Sequence, residues 1–289
     1  MNPFRDYLSE GERAGQRYAL CLPRQTPRGT AGLALGQRAG SSLEFRDYRD
    51  YQVGDDLRHI DWNAFARSDQ LAVKLYREEI TPHLDLVLDV SRSMALEGTG
   101  KERATLALAA CLTTAAANAG FRHLVWLIGD DFRSLPNSTA APAFWGDFAL
   151  NQRGSPAAVL TQGAPGWRPR SVRVLLSDLL WDGEPLQVLR TFTQGAAATV
   201  VIQLLADADI HPPEDGALRL IDVETEQMRE LHIDAGLAQR YRERLTHHQQ
   251  NWHQACRASG ALFATVVAET LLHQWKLDEL VAAGFLRVI

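Results

Sequence analysis

Beyond Pro82 the chain alternates short apolar runs with helical stretches, and this alternation limits the architectures open to it more than any other feature. Leu84 to Val90 is too apolar to keep a wet face, as expected of a strand covered on both sides. Lys101 to Asn118 reads as a helix with Gly120 as its stop, and His123 to Gly129 as the next strand. Asp130-Asp131 then leaves too little chain for a crossover, so Phe132 to Leu135 should pair antiparallel. Strands follow at Val172 to Leu176, Thr199 to Leu205 and Ala261 to Val267. Helices are expected at Pro185 to Thr193, Ala235 to Ala258 and Thr270 to Ala283, and a hairpin at Leu218 to Val223 with Met228 to Ile233. The order predicts an α/β fold, a mostly parallel sheet with helices on both faces and right-handed crossovers.

The 289 residues suffice for one large core with an elaborated N-terminal region. Residues 1–30 are polar, with Pro23 and Pro27, and read as an N-terminal arm. Residues 31–80 read as a β-rich module, with turns at Gly36, Gly40 and Gly54, a strand at Leu71 to Tyr76 and a short helix or turn at Asp61 to Arg67. Residues 81–289 form the α/β domain, with the hairpin inserted near 217–233. A net charge of -5 offers no general attraction to nucleic acid or an anionic membrane. Three scattered cysteines, Cys21, Cys111 and Cys256, suggest neither a disulfide framework nor a zinc site. With no signal peptide expected in Met1 to Gly15 and no apolar run of membrane-spanning length, a cytoplasmic location is expected.

Ligands of open parallel sheets gather at the carboxyl ends of strands, and two aspartate motifs fall there. Asp89-Val90-Ser91-Arg92-Ser93 follows the first buried run, and Asp178 follows Val174-Leu175-Leu176-Ser177. The pentad carries a carboxylate and two hydroxyls at alternate positions, so a tight turn can aim Asp89, Ser91 and Ser93 at one hard cation. Mg2+ suits these oxygens, with Mn2+ or Ca2+ as alternatives. Asp178 would converge on the same ion, or else cap a turn or helix. An ion so held stays electron-poor, which favours an incoming Glu or Asp from a partner protein. A hydrolase of phosphate esters is the weaker alternative, because no histidine or second close carboxylate accompanies the pentad as a general base. A third reading is a metal-free scaffold in which the serines cap a helix. His83 and His123 fall at strand starts and read as boundary or surface residues; His247, His248 and His253 read as solvated surface.

The pentad resembles the metal-ion-dependent adhesion site of von Willebrand factor A domains. A wider set of residues is similar to domain-of-unknown-function family 58, namely Gly40, Glu44-Phe45, Arg49-Asp50-Tyr51, Gly54-Asp55-Asp56, Arg58, Ile60-Asp61-Trp62, Ala66-Arg67 and Leu88 to Met94. This resemblance implies a von Willebrand factor A-like, Rossmann-type domain and an adaptor role beside a MoxR-type AAA+ ATPase or its client. The adhesion site also implies a threonine on an intervening loop. The best counterpart here is Ser155, a departure that loses a methyl group, with Thr161 and Thr139 as alternatives.

Two further stretches carry open alternatives. The block around Asp56 to Trp62 either fixes the module through pairs such as Asp56 with Arg58 or Asp61 with Arg67, with Trp62 as apolar anchor, or docks a partner. In the docking reading Arg49, Asp55, Arg58, Asp61, Trp62 and Arg67 make the contact surface. Phe45, Tyr48, Tyr51 and Trp62 together read as a local core. Trp181-Asp182-Gly183 either turns into the next helix or places Trp181 on the rim of the metal mouth.

Overall fold

The computed structural model describes residues 3–21, 45–52, 55–76, 82–162, 166–213, 215–221 and 227–289. The chain divides into two compact units, one of Met1–Gln25 with Pro82–Ile289 and the other of Thr26–Thr81. The expected turn points Gly36, Gly40 and Gly54, and the stretch 22–30, lie outside the described residues.

In the larger unit the chain starts with helix α1 (Pro3–Gly15) and strand β1 (Tyr18–Leu20). The smaller unit contains β2 (Phe45–Asp50), α2 (Trp62–Ser68) and β3 (Ala72–Tyr76), with β2 and β3 antiparallel. Asp61 is its organising residue. Its Oδ1 accepts the amides of Asn63 and Ala64 to cap α2, and its Oδ2 accepts Tyr48 Oη at 2.7 Å and lies 3.4 Å from Lys74 Nζ. The Tyr48 bond leads the effects that hold the Asp61 carboxyl at about 2. The expected pair of Asp61 with Arg67 is therefore replaced by Asp61 with Lys74, while Arg67 Nε turns back to Asn63 O. Asp56 does pair with Arg58, at 2.7 Å. Trp62 is 59% exposed, and Tyr48 is exposed with it. Of the expected local core, Tyr48 and Trp62 are exposed and Tyr51 is half-buried among the described side chains.

The larger unit continues through β4 (His83–Asp89), α3 (Lys101–Asn118), β5 (Arg122–Ile128), β6 (Phe132–Ser134) and α4 (Pro156–Thr161). Next come β7 (Val172–Ser177), α5 (Pro185–Thr193), β8 (Ala198–Leu205) and α6 (Asp207–Ile210). Then follow the hairpin β9 (Gly216–Ile221) and β10 (Met228–Ile233), α7 (Ala235–Ala258), β11 (Leu262–Val267), α8 (Ala268–Gln274), α9 (Asp278–Ala282) and β12 (Leu286–Val288). Six strands form the central sheet in the order β11-β8-β7-β4-β5-β6, parallel except for β6. The mixed α/β architecture with a mostly parallel sheet is thus as expected.

β4 lies at the middle, and its alternation serves two cores. Leu84, Leu86 and Leu88 pack with α3 and α8, while Val87 joins Leu175 and Val201 against α5 and α7. α3 is apolar nearly all round because both of its sides are covered, one by the sheet and the other by α1.

Residues 3–20 are accordingly not a loose arm. Leu8 and Ala14 enter the core beside α3, and β1 pairs antiparallel with β12 through Tyr18 with Val288 and Leu20 with Leu286. The single closing helix expected at 270–283 is also corrected. Trp275 adopts φ 49°, in the left-handed region, and its carbonyl accepts Tyr18 Oη at 3.1 Å, which breaks the helix into α8 and α9.

Candidate functional site

β4 and β7 are parallel neighbours, so Asp89 and Asp178 leave the sheet at the same edge. Asp89 is fully buried, and both of its oxygens are held. Oδ1 accepts Ser91 N at 2.9 Å, and Oδ2 accepts the Ser177 hydroxyl at 2.6 Å. The first bond closes a tight turn that brings Ser91 Oγ and Ser93 Oγ to 3.0 Å of each other. Neighbouring ligands of an octahedral Mg2+ at roughly 2.1 Å lie about 3 Å apart. The two hydroxyls stand at that separation, which is equally that of a hydrogen bond between them. Among the described residues no three His, Cys, Asp or Glu side chains converge as metal ligands.

The loop before α4 is tied to the pentad by backbone pairing. Gln152 N donates to Val90 O and Gln152 O accepts Arg92 N, each at 3.0 Å. This places Ser155, at the N-cap of α4, on the wall of a cleft of about 910 Å3 lined also by Ser91, Ser93, Asp178 and Trp181. Ser155 Oγ contacts Asp182 O at 3.5 Å. Thr161 lines the cleft too, but its hydroxyl donates to Ala157 O of its own helix at 2.9 Å; Thr139 sits in the turn after β6. Trp181 faces the cleft, and its Nε1 donates to Ser177 Oγ at 3.0 Å while its ring meets Trp252 edge-on.

The fold thus brings together Asp89, Ser91, Ser93, Ser155, Asp178 and Trp181. Arg49, Asp55, Arg58, Asp61, Trp62 and Arg67 belong to the other compact unit. There Arg49 grips Asp55 at 2.6 Å, and the Gln52 amide, followed by Arg49, keeps the Asp55 carboxyl below the usual range.

Sequence reasoning missed the cation that the cleft already contains. Lys101, the first residue of α3, is 1% exposed, with Nζ 2.8 Å from Asp178 Oδ2 and 2.9 Å from Asp209 Oδ2. Burial works to lower the Lys101 pKa, but Asp178 and then Asp209 outweigh it, and the net shift is upward. Asp209 carries a weaker signal, since it lies four residues past β8, inside α6, whereas Asp178 follows β7 directly. Ser177 was also missed as a hub, donating to Asp89 and accepting from Leu179 N and Trp181 Nε1.

The histidines need correction. His83 and His123 are buried rather than at the surface, His83 with its Nε2 3.5 Å from Asp85 Oδ1, because the starts of β4 and β5 lie in the middle of the sheet. His248 is not merely solvated surface. Its Nε2 lies 2.7 Å from the carbonyl of Leu179, a residue at φ 59°, in the loop that carries Asp178.

Burial, and next the charge of Asp178, push the Asp89 carboxyl up to about 6, against the bonds from Ser177 and Ser91. A raised carboxyl holds its proton in the folded state after the unfolded chain has released it, so stability falls as pH rises from about 4 to about 6. Asp89→Asn removes this effect. In chelator its stability relative to wild type should rise by on the order of 1–2 kcal/mol from pH 5 to pH 7.5, on top of a fixed cost for the amide NH2 that must face Ser91 N or the Ser177 hydroxyl. Urea unfolding at the two pH values checks this, and a gap that does not change with pH counts against it.

The family model described as "Protein of unknown function DUF58" matches residues 47–251. The chain belongs to this family. The DUF58 match takes in the smaller unit from β2 onward and the larger unit through most of α7. Uncharacterized proteins of Mycobacterium tuberculosis (strain ATCC 25618 / H37Rv) and Mycobacterium bovis are each 26% identical over 248 residues, covering 78% of this chain and 75% of theirs. Among solved structures, a conserved hypothetical protein BatB from Bacteroides thetaiotaomicron matches at 10% identity and a TM-score of 0.36, over 70% of this chain and 98% of that one. An aerotolerance-related membrane protein from Bacteroides fragilis matches at 12% identity and 0.40, over 70% and 99%. Scores this low carry no weight for the fold. Among the described residues no helix is long and apolar enough to cross a membrane.

Proposed function

We propose that this DUF58 protein is a binding module rather than an enzyme, with a von Willebrand factor A-like domain that grips an acidic side chain of a partner protein through Mg2+. Asp89, Ser91 and Ser93 would hold the ion, with Ser155 and Asp178 around it, and the partner would be a MoxR-type AAA+ ATPase or its client. The observation that carries this reading is the pair of serine hydroxyls 3.0 Å apart, above a buried carboxylate and facing an open cleft. Mg2+ in such a place supplies a Lewis-acid anchor for an oxygen anion. The chain's own residues fix the two hydroxyls and exclude water from beneath them. The nearest candidate base, Asp89, has both oxygens occupied by protein donors, which argues against hydrolysis.

The expected result is that purified MoxR-type ATPase from the same organism binds wild type with Mg2+. Chelator or Asp89→Ala should weaken binding by at least about 100-fold, or about 2.7 kcal/mol, with far-UV circular dichroism unchanged. Equal binding by wild type and Asp89→Ala, each with Mg2+ or with chelator, would move the contact to the smaller unit, where Leu57 and Trp62 are exposed. A metal-free scaffold is the second reading, favoured by one observation. All four carboxylate oxygens of Asp89 and Asp178 already accept from the protein, through Ser91 N, Ser177 Oγ, Lys101 Nζ and Leu180 N.

A further inference from the structure

We infer that Lys101 is a resident cation that withdraws Asp178 from the divalent site, leaving Asp89 as the single carboxylate that can serve a metal. This rests on the Mg2+ reading of Asp89, Ser91 and Ser93 and fixes how that site is tuned. The ammonium lies on Asp178 Oδ2 at 2.8 Å, and the other oxygen accepts Leu180 N at 3.0 Å. Asp89 also has both oxygens occupied, but by the neutral Ser91 amide and Ser177 hydroxyl, whereas ligation through Asp178 Oδ2 would displace a charge-assisted bond to a buried ammonium.

The lysine is placed by construction. Glu269 accepts Gly100 N at 2.9 Å through one oxygen and Asp207 N at 2.8 Å through the other, joining the start of α3 to the start of α6. That clamp sets Lys101 against Asp209, whose Oδ2 also accepts Ala206 N at 2.9 Å. Lys101 also faces the cleft that Ser91 and Ser93 line, so its positive charge repels a divalent ion at the pentad. The number of charged ligands sets divalent affinity, and here it is held down from both directions. A weakly held ion keeps its demand for a further anion, which the partner's carboxylate meets.

The test is Mg2+ binding by titration calorimetry, with Mn2+ binding by electron paramagnetic resonance as a second readout, both without partner. Lys101→Met should bind at least about tenfold more tightly than wild type (about 1.4 kcal/mol), Asp178→Asn should weaken binding far less than Asp89→Asn, and Asp89→Asn should lose binding. Should Lys101→Met not fold, Lys101→Met with Asp209→Asn leaves Asp178 free and removes one buried charge, and the same gain is expected. If Asp178→Asn loses binding as fully as Asp89→Asn and Lys101→Met gains none, the inference is overturned while the Mg2+ reading stands. If no variant binds either ion, both fall.

Discussion

Lys101→Met is expected to lower the unfolding free energy by about 3–5 kcal/mol in chelator, the cost of removing one partner from a buried ion group. Asp178 would be left with one donor, Leu180 N, and Asp209 would stand close by. The two carboxylates would then repel each other where the ammonium had separated them. Methionine fills much of the space, so the loss is electrostatic rather than a cavity. A double-mutant comparison separates these causes. Placing Lys101→Met in a background of Asp178→Asn and Asp209→Asn should cost little, because replacing all of the charges together is close to neutral. Added Mg2+ should recover part of the loss in the single variant and little in the triple. Urea unfolding checks both, and a single-variant loss under about 1 kcal/mol would remove Lys101 from its place as the organising charge.

The strands of the central sheet were legible because they are buried on both faces, and a run such as Leu84 to Leu88 has few other ways to fold. Asp89 and Asp178 were legible for the same reason, since strand ends fix where the ligand edge lies. Lys101 was not. A lysine opening a helix is ordinarily a surface residue, and its burial here depends on Asp178, Asp209 and Glu269, far along the chain. Asp61 is similar. Its position ahead of α2 indicates a cap, but Lys74 as its partner follows from the pairing of β2 with β3. His83 and His248 misled because local polarity says nothing of where a strand start or one helix face ends up.

The N-terminal segment is the largest departure, and it allows a direct test. Prolines and charges over residues 1–30 suggested an arm, yet Gly11 and Gly15 lie one turn apart on α1 and let its backbone settle onto α3. A Cβ on Gly11 would fall on the carbonyl oxygen of Ala107, and one on Gly15 would lie 2.6 Å from the carbonyl oxygen of Cys111. Both obstacles are backbone atoms of a helix wedged against the sheet, so no rotamer change relieves them. Gly11→Leu should therefore force α1 away from α3, uncovering Leu8 and the outer face of α3, and cost at least about 3 kcal/mol. Arg5→Ala, on the exposed side of the same helix, should stay within about 0.5 kcal/mol of wild type. Hydrogen exchange makes the difference visible, with faster exchange expected in α1 and in the β1–β12 pair for Gly11→Leu alone. If Gly11→Leu retains both stability and protection, α1 does not pack on α3 and the segment is an arm after all.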